Sequence, residues 1–542
     1  MQWSGRDLPP SRYEGHYGDR LVRCFSQRPP SLHAVFRDAV RTAPDADALV
    51  WEDGRCSYAE LEGRVARVAA NLARHGVEAG DRVALLLGNG PAFMEGLLAA
   101  AHLGAIAVPV TTRERGEGLR YILENCGARV LLFDADLASR LPAETELPAL
   151  EHRFSVGGAA EGAHAYEALL RDATPVEPAT VAEEDTAVIL YTSGTTGRPK
   201  GAMLTHLNIA HSLLHFEYCL GLERGERGIL AVPASHVTGL VAIILAMVRV
   251  AGCTIMMRQF DAREFNRLAA VEKMTYGLLV PAMYNLCLMR ADFAEYDLSH
   301  WRIGAFGGAP MPEATIRRLA EVLPGLVLVN AYGATETTSP TTIMPPGAIN
   351  DYGDTVGRVV PTGDVRVMDT EGREVAPGET GEIWIGGPMV VKGYWNRPEA
   401  TQEGFVGGYW RSGDIGSLDD QGYLRVLDRM KDMINRGGYK VFSAEVENVL
   451  AYHPAVAECA VVARPDPVLG EKVQAFILLA DGATATEQDI REYCAERLAD
   501  YQVPDFIAFR DESLPRNPNG KIVKRDLREE ANRLAEKQAQ QQ

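Results

Sequence analysis

The sequence predicts an α/β fold. It comprises a large N-terminal domain on a mostly parallel sheet with helices on its faces, a β-barrel-like piece, and a small α+β C-terminal domain. Three observations carry this expectation. Short apolar runs alternate with helix-periodic segments up to Val356, short β-rich runs between turn pairs follow, and from about Asp428 strands and helices mix again. A chain of 542 residues also exceeds one compact core and asks for about three or four core-sized units.

The elements follow in order. Ser57-Tyr-Ala-Glu60 is a capping box, and Val65, Val68, Ala69 and Leu72 then recur at helical spacing. Arg82 to Gly88 reads as a strand, Pro91 to Leu103 as a helix, and Ala105 to Val110 as a second strand. Val130 to Phe133 and Ala187 to Leu190 are similar apolar runs. Ile229 to Val248 lacks Asp, Glu, Lys and Arg and is about long enough to span a bilayer. Its Pro233, Ser235, His236, Thr238 and Gly239 would need polar partners in lipid, so a loop feeding a buried helix is expected. Beyond Val356, Glu371-Gly372, Pro377-Gly378 and Gly386-Gly387 separate the runs Val365 to Met368 and Glu382 to Ile385, the antiparallel, barrel-like piece.

Composition narrows the function classes. Hydrophobic residues at 46% and charged residues at 24% exclude disorder, collagen and coiled coil. A net charge of −18 disfavours nucleic acid and anionic membrane as partners. Eight cysteines without a CxxC pair predict reduced, buried thiols, and the first twenty residues lack the apolar core of a secretory signal, so a soluble cytoplasmic protein is expected. The charge is uneven: Arg429 onward holds 16 basic and 19 acidic residues, yet Arg516 to Arg525 carries four positive charges and no acid.

One loop stands out chemically. Tyr191-Thr-Ser-Gly-Thr-Thr-Gly-Arg-Pro-Lys-Gly201 follows the strand candidate directly. Its glycines free the backbone, the hydroxyls of Thr192, Ser193, Thr195 and Thr196 supply short donors, and Lys200 adds a point charge, the chemistry of a phosphate cradle. The lysine spacing is wrong for a Walker A loop, which excludes a P-loop kinase or ATPase.

With this string the chain resembles the adenylate-forming superfamily of acyl-CoA synthetases, peptide-synthetase adenylation domains and luciferases. Asn330-Ala-Tyr-Gly-Ala-Thr-Glu-Thr337 is similar to its second nucleotide motif, and Arg411-Ser-Gly-Asp414 to its ribose motif, with Ser412 where threonine is commoner. Asp428 to Lys440 is similar to its hinge and pantetheine segment, and Pro515 to Lys521 to its C-terminal lysine motif. The resemblance implies stacked sheets in an N-terminal domain of residues 1–428, and a mobile C-terminal domain of residues 429–542 hinged near Lys431.

It also implies roles. Lys521 would bridge carboxylate and α-phosphate, Thr335 would donate to the α-phosphate, and Glu336 would bind Mg²⁺. The nucleotide would lie against Thr192, Ser193, Gly194, Thr195, Thr196, Gly197, Lys200, Gly308, Asn330, Ala331 and Tyr332. Asp414 and Arg429 would hold the ribose, and Gly437 and Gly438 would let the pantetheine arm of coenzyme A pass. Asn435 departs from the family, where several relatives carry lysine. His236 would stand where acyl pocket meets thiol tunnel, with Val237, Leu240, Met283, Ala305, Phe306, Gly307 and Thr337 around the acyl group. That set holds no charge to pair with an amino group or a second carboxylate, so an aromatic or medium-chain monocarboxylic acid is expected.

The expected activity is therefore an ATP-dependent acid–CoA ligase that releases AMP and pyrophosphate. The alternatives are an enzyme loading a separate carrier protein, a luciferase-like oxygenase and a non-catalytic nucleotide-binding relative. No carrier segment follows Lys521, which favours free CoA, and Lys200, Glu336, Asp414 and Lys521 together argue for catalysis. A homodimer is compatible with the sequence, which leaves the oligomeric state open.

Overall fold

The structure is a computed structural model that describes residues 3, 6–192, 198–290, 293–309, 311–517 and 521–541. The chain divides into two compact units, one of Met1–Val365, Ile385–Arg411 and Gln421–Leu424, the other of Arg366–Trp384, Ser412–Asp420 and Arg425–Gln542.

The first unit holds two large sheets. Seven strands run in the order Lys200–Thr205, Thr186–Thr192, Ile106–Pro109, Arg82–Leu86, Val130–Asp134, His152–Val156 and His164–Ala165. They are parallel except for the edge strand Lys200–Thr205, which returns antiparallel to Thr186–Thr192. Nine strands form the second sheet, in the order Arg358–Val359, Thr342–Ile343, Val327–Tyr332, Ile303–Phe306, Tyr276–Leu279, Arg227–Leu230, Cys253–Met256, Asp47–Trp51 and Gly54–Ser57. Its six central strands are parallel, and antiparallel strands close both edges.

Local chemistry explains the helices. Ser57 Oγ accepts from the Glu60 amide and the Glu60 carboxylate accepts from the Ser57 amide, so the capping box opens a helix over Tyr58–Arg74, worth about 1 kcal/mol. Pro91–Leu103 starts on a proline and ends on Gly104 at φ 66°, the left-handed stop that glycine adopts without strain. That helix is buried around almost its whole circumference, in keeping with its mostly apolar sequence, and its buried Glu95 is paired with Arg64 and Tyr166. The apolar stretch from Ile229 is the end of a strand, a loop, then a π-helix over Thr238–Leu245 continuing as α-helix Ala246–Arg249. Among the described residues no helix is long and apolar enough to cross a membrane. All eight cysteines are free thiols, seven of them buried.

The strands Asp364–Met368, Gly381–Gly386, Tyr409–Leu418 and Leu424–Arg429 meet the expected β-rich runs, and most of their residues belong to the second unit. That unit also carries a sheet in the order Tyr439–Val441, Ile434–Arg436, Gly470–Leu479, Val456–Asp466, with Phe506–Arg510 parallel to Gly470–Leu479. Helices Ser443–Ala451 and Glu487–Ala495 pack on it through Val446, Leu450, Ile490 and Cys494. Leu527 and Ala531 of helix Lys524–Gln541 pack with Ala460, Val462 and Phe476.

Candidate active site

In the first unit the predicted residues gather where four neighbouring parallel strands end. Leu279 pairs with Phe306 and Phe306 with Asn330, so two strands stop in register and the third runs two residues further, to Tyr332. Met283 follows the first of these strands, Gly307 and Gly308 the second, and Ala331 and Tyr332 end the third. His236, Val237 and Leu240 follow the fourth, Arg227–Leu230. Ligand sites of open parallel sheets lie at such carboxyl ends.

Close backbone approach fixes two glycines here. A Cβ on Gly307 would meet the Ala331 carbonyl oxygen at 2.4 Å, and one on Gly239 would meet the Pro233 oxygen at 2.3 Å. Gly239 therefore lets the π-helix begin against the loop that carries His236. The Thr238 amide donates to His236 Nδ1 at 3.2 Å, which assigns the proton to Nε2 in the neutral ring.

Asn89, absent from the predicted set, holds this loop. Its Nδ2 lies 3.1, 3.0 and 2.9 Å from the carbonyls of Leu230, Val232 and Met257, and its Oδ1 accepts from the Ala234 amide at 2.8 Å. One amide thus ties the end of the seven-stranded sheet to the strand ends of the other. The predicted acyl residues differ in access. Leu240, Ala305 and Thr337 are fully enclosed, whereas Val237, Met283 and Phe306 keep a little exposure. The Thr337 hydroxyl accepts from the Ala334 amide at 3.0 Å, holding the turn Thr335–Thr337.

Glu336 is buried in that turn, and the Tyr394 hydroxyl donates to its Oε1 at 2.9 Å. Burial and the neighbouring carboxylate both push the Tyr394 phenol upward, so it stays protonated and able to donate. Tyr394 is anchored in turn: its amide donates to Thr401 Oγ1 at 2.9 Å, and Trp395 donates its amide to the Gly201 carbonyl at 2.7 Å. Lys200 Nζ lies 5.1 Å from the Tyr394 ring centre. The first-unit cation and carboxylate of the predicted nucleotide set therefore share one aromatic neighbour, which sequence reasoning missed. Thr192 pairs with Lys200 across the hairpin. Ser193, Gly194, Thr195, Thr196 and Gly197 lie outside the described residues.

The second unit arranges its own residues. Asp414 is buried, and its Oδ1 lies 3.3 Å from Arg429 Nε. Ser412 Oγ accepts from the Asp414 amide at 3.0 Å and donates to the Ile383 carbonyl at 2.6 Å, so the serine hydroxyl holds the backbone at Asp414. Lys431 occupies an exposed turn between two anchors. On one side buried Asp428 accepts from the Ser443 amide and hydroxyl; on the other Asp432 accepts from Arg528 at 2.6 Å.

Gly437 and Gly438, at φ 60° and 95°, form the two-residue turn between Ile434–Arg436 and Tyr439–Val441. Two consecutive positive φ values select glycine at this hairpin type. The unexpected Asn435 has a local use: its Oδ1 accepts from the Gly438 amide at 3.1 Å. Lys521 is exposed and held by Asn517, whose amide donates to the Lys521 carbonyl at 2.9 Å and whose Oδ1 accepts from the Lys521 amide at 3.0 Å. The basic island is weaker than its sequence count. Arg516 pairs with Glu458 at 3.2 Å, Lys524 with Glu447 at 2.7 Å and Arg525 with Asp526 at 3.4 Å.

Comparison with known proteins agrees with this geometry. Residues 36–395 match the AMP-binding enzyme family and residues 445–521 the AMP-binding enzyme C-terminal domain. The chain is 38% identical over 504 residues to a long-chain-fatty-acid–CoA ligase, FadD13, of Mycobacterium tuberculosis, covering 92% of this chain and 97% of that one. It is 36% identical over 496 residues to a feruloyl-CoA synthase of an Amycolatopsis species, covering 90% and 96%. Among solved structures it is similar to the o-succinylbenzoate CoA synthetase MenE of Bacillus subtilis. Against MenE with its acyl-adenylate intermediate the TM-score is 0.83 at 29% identity, covering 92% and 98%. Against MenE with ATP and a magnesium ion it is 0.81 at 29% identity, covering 92% and 100%. The chain belongs to the AMP-binding enzyme family, in its acyl-CoA ligase branch.

Proposed function

We propose that the protein is an ATP-dependent acid–CoA ligase acting through an acyl-adenylate on an aromatic or medium-chain monocarboxylic acid. The observation that carries this reading is the gathering of Gly307, Asn330, Tyr332 and buried Glu336 at one set of strand ends, with Tyr394 between Glu336 and Lys200.

In the first half-reaction a carboxylate oxygen of the acid attacks the α-phosphorus of ATP, the α–β anhydride bond breaks, and pyrophosphate leaves. In the second the thiol of CoA adds to the acyl carbon, its proton passes to solvent, and the bond to AMP breaks. Charge builds on phosphate oxygens, so fixed cations and donors supply most of the acceleration. Lys200 and the Thr335 hydroxyl face the phosphates in this reading, and Tyr332 lies along the adenine. Asp414 accepts from the ribose hydroxyls and Arg429 supports them. A magnesium ion, when bound, compensates the charge of the phosphate oxygens. Glu336 fits that ion because a buried carboxylate, oriented by a tyrosine, is the hard oxygen donor it prefers. Lys521 serves adenylation and Gly437-Gly438 serves thioester formation, exchanged by rotation of residues 429–542 about Lys431. Cytoplasmic location and supply from the soluble CoA pool accompany this proposal.

The test is pyrophosphate release over a panel of carboxylic acids, with and without CoA, while free thiol is followed. Acid-dependent pyrophosphate release and thiol loss are expected. Release with thiol untouched would promote a carrier-loading enzyme, and no release with any acid would promote a non-catalytic relative.

A further inference from the structure

At the edge of the seven-stranded sheet, away from the Thr192–Lys200 hairpin, three imidazoles converge. We propose that His75, His152 and His164 form a binding site for a borderline divalent transition-metal ion, zinc foremost, with water as the fourth ligand. One ring nitrogen from each lies within 4.8 Å of the others. Tetrahedral zinc with nitrogen ligands needs separations of about 3.3 Å, within reach of small side-chain rotations.

The backbone puts all three on one face. His152 and Phe154 alternate along the strand His152–Val156, and Phe154 pairs with His164 on the last strand. His75 caps the C-terminus of helix Tyr58–Arg74 and meets His152 edge-on with ring centres 4.8 Å apart, and its ring lies tilted to that of His164 at 5.9 Å. Phe154, fully buried, packs against His75 and His164.

His75 has the outer contact of a metal-binding histidine. His75 Nδ1 lies 2.8 Å from the Asn71 carbonyl, so it is the donor and Nε2 carries the lone pair. A carbonyl holding one ring nitrogen sets the tautomer in which the other binds metal. Three nitrogen donors without a carboxylate suit zinc, copper or nickel and not magnesium. The site is thus separate in chemistry from Glu336. It is separate in place as well: His152–Val156 lies four strands from Thr186–Thr192, on the order of 20 Å. The ion would clip the two-residue edge strand His164–Ala165 to the helix end.

The other His/Cys/acid cluster among the described residues, Glu14, His16 and Cys24, is unsuited to a cation. Arg28 holds Glu14 at 2.7 Å, Glu184 holds His16 at 2.8 Å, and burial pushes the Cys24 thiol up to about 12.

The test is titration of metal-stripped full-length protein with Co²⁺ in the absence of nucleotide, followed by Zn²⁺ competition and thermal melting. Expected are one Co²⁺ per chain with tetrahedral ligand-field absorption, bleaching by Zn²⁺, and a Zn²⁺-dependent Tm rise of roughly 2–8 °C. His164→Ala, at an exposed position, should keep the apo Tm and weaken Co²⁺ binding at least tenfold. His152→Gln should do the same to binding. Unchanged Co²⁺ binding in His164→Ala would overturn the proposal. So would a near-ultraviolet thiolate charge-transfer band, which would place the ion at a cysteine, or the absence of a tetrahedral spectrum.

Discussion

The Tyr394 hydroxyl reaches Glu336, 58 residues earlier in the chain, at 2.9 Å and points this buried carboxylate. A hydrogen bond to a charged group contributes about 1.5–3 kcal/mol. Tyr394→Phe should therefore lower unfolding free energy by roughly 1–3 kcal/mol and raise the magnesium concentration needed for half-maximal pyrophosphate release. Urea denaturation and a magnesium titration read the two effects. A variant with unchanged magnesium dependence would separate Tyr394 from the ion.

Asp414 offers two carboxylate oxygens with Arg429 on one side. If they hold the ribose, Asp414→Asn should shrink the preference for ATP over 2′-deoxy-ATP by roughly tenfold to a hundredfold in kcat/KM, one charge-assisted hydrogen bond. Equal loss with both nucleotides would move Asp414 away from the sugar.

Lys431→Pro and Lys521→Ala should split the half-reactions in opposite ways. Lys521→Ala should slow acyl-adenylate formation by about a hundredfold or more and still convert supplied acyl-AMP to the thioester. Lys431→Pro should form the adenylate and fail at the thioester. Equal loss of both half-reactions in Lys431→Pro counts against a hinge there.

Asn89→Ala removes the amide that gathers the Leu230, Val232 and Met257 carbonyls and the Ala234 amide. Stability should fall by about 2–3 kcal/mol. The variant's kcat should fall more than its KM for ATP rises, because the loop bearing His236 loses its anchor. An unaltered kcat would show that this loop does not touch the chemistry.

Acid should weaken the first unit before its carboxylates protonate. Burial lowers His206 to about 4 and His211 to about 3, so both fold as neutral rings. Between these values and the ordinary histidine range near 6.5 the unfolded chain binds more protons, so stability falls as pH falls. From pH 6.5 to pH 5 these two rings alone should cost roughly 2–4 kcal/mol, read as a falling urea midpoint. A flat profile over that window would contradict the neutral burial of these rings.

Much of this architecture was legible because its causes are local. The Ser57 capping box, the Pro91–Leu103 helix and the alternating apolar runs carry their geometry in neighbouring residues. Tyr394 and Asn89 were not legible, since each acts across many residues and lies in an irregular segment with no period to betray it. The basic island misled for a related reason. Its counter-charges Glu447 and Glu458 lie far from it in sequence and come beside it only on folding. Thr337 reads as a pocket residue by position, yet its hydroxyl is spent on its own turn.

The most direct test of the ligase reading is a single-turnover reaction with ATP, magnesium and the best acid of the panel, quenched before and after CoA is added. Mass spectrometry should find enzyme-bound acyl-AMP and one equivalent of pyrophosphate first, then acyl-CoA and AMP in its place. Acyl-CoA formed with ADP and phosphate, or without an acyl-AMP that CoA consumes, would contradict it.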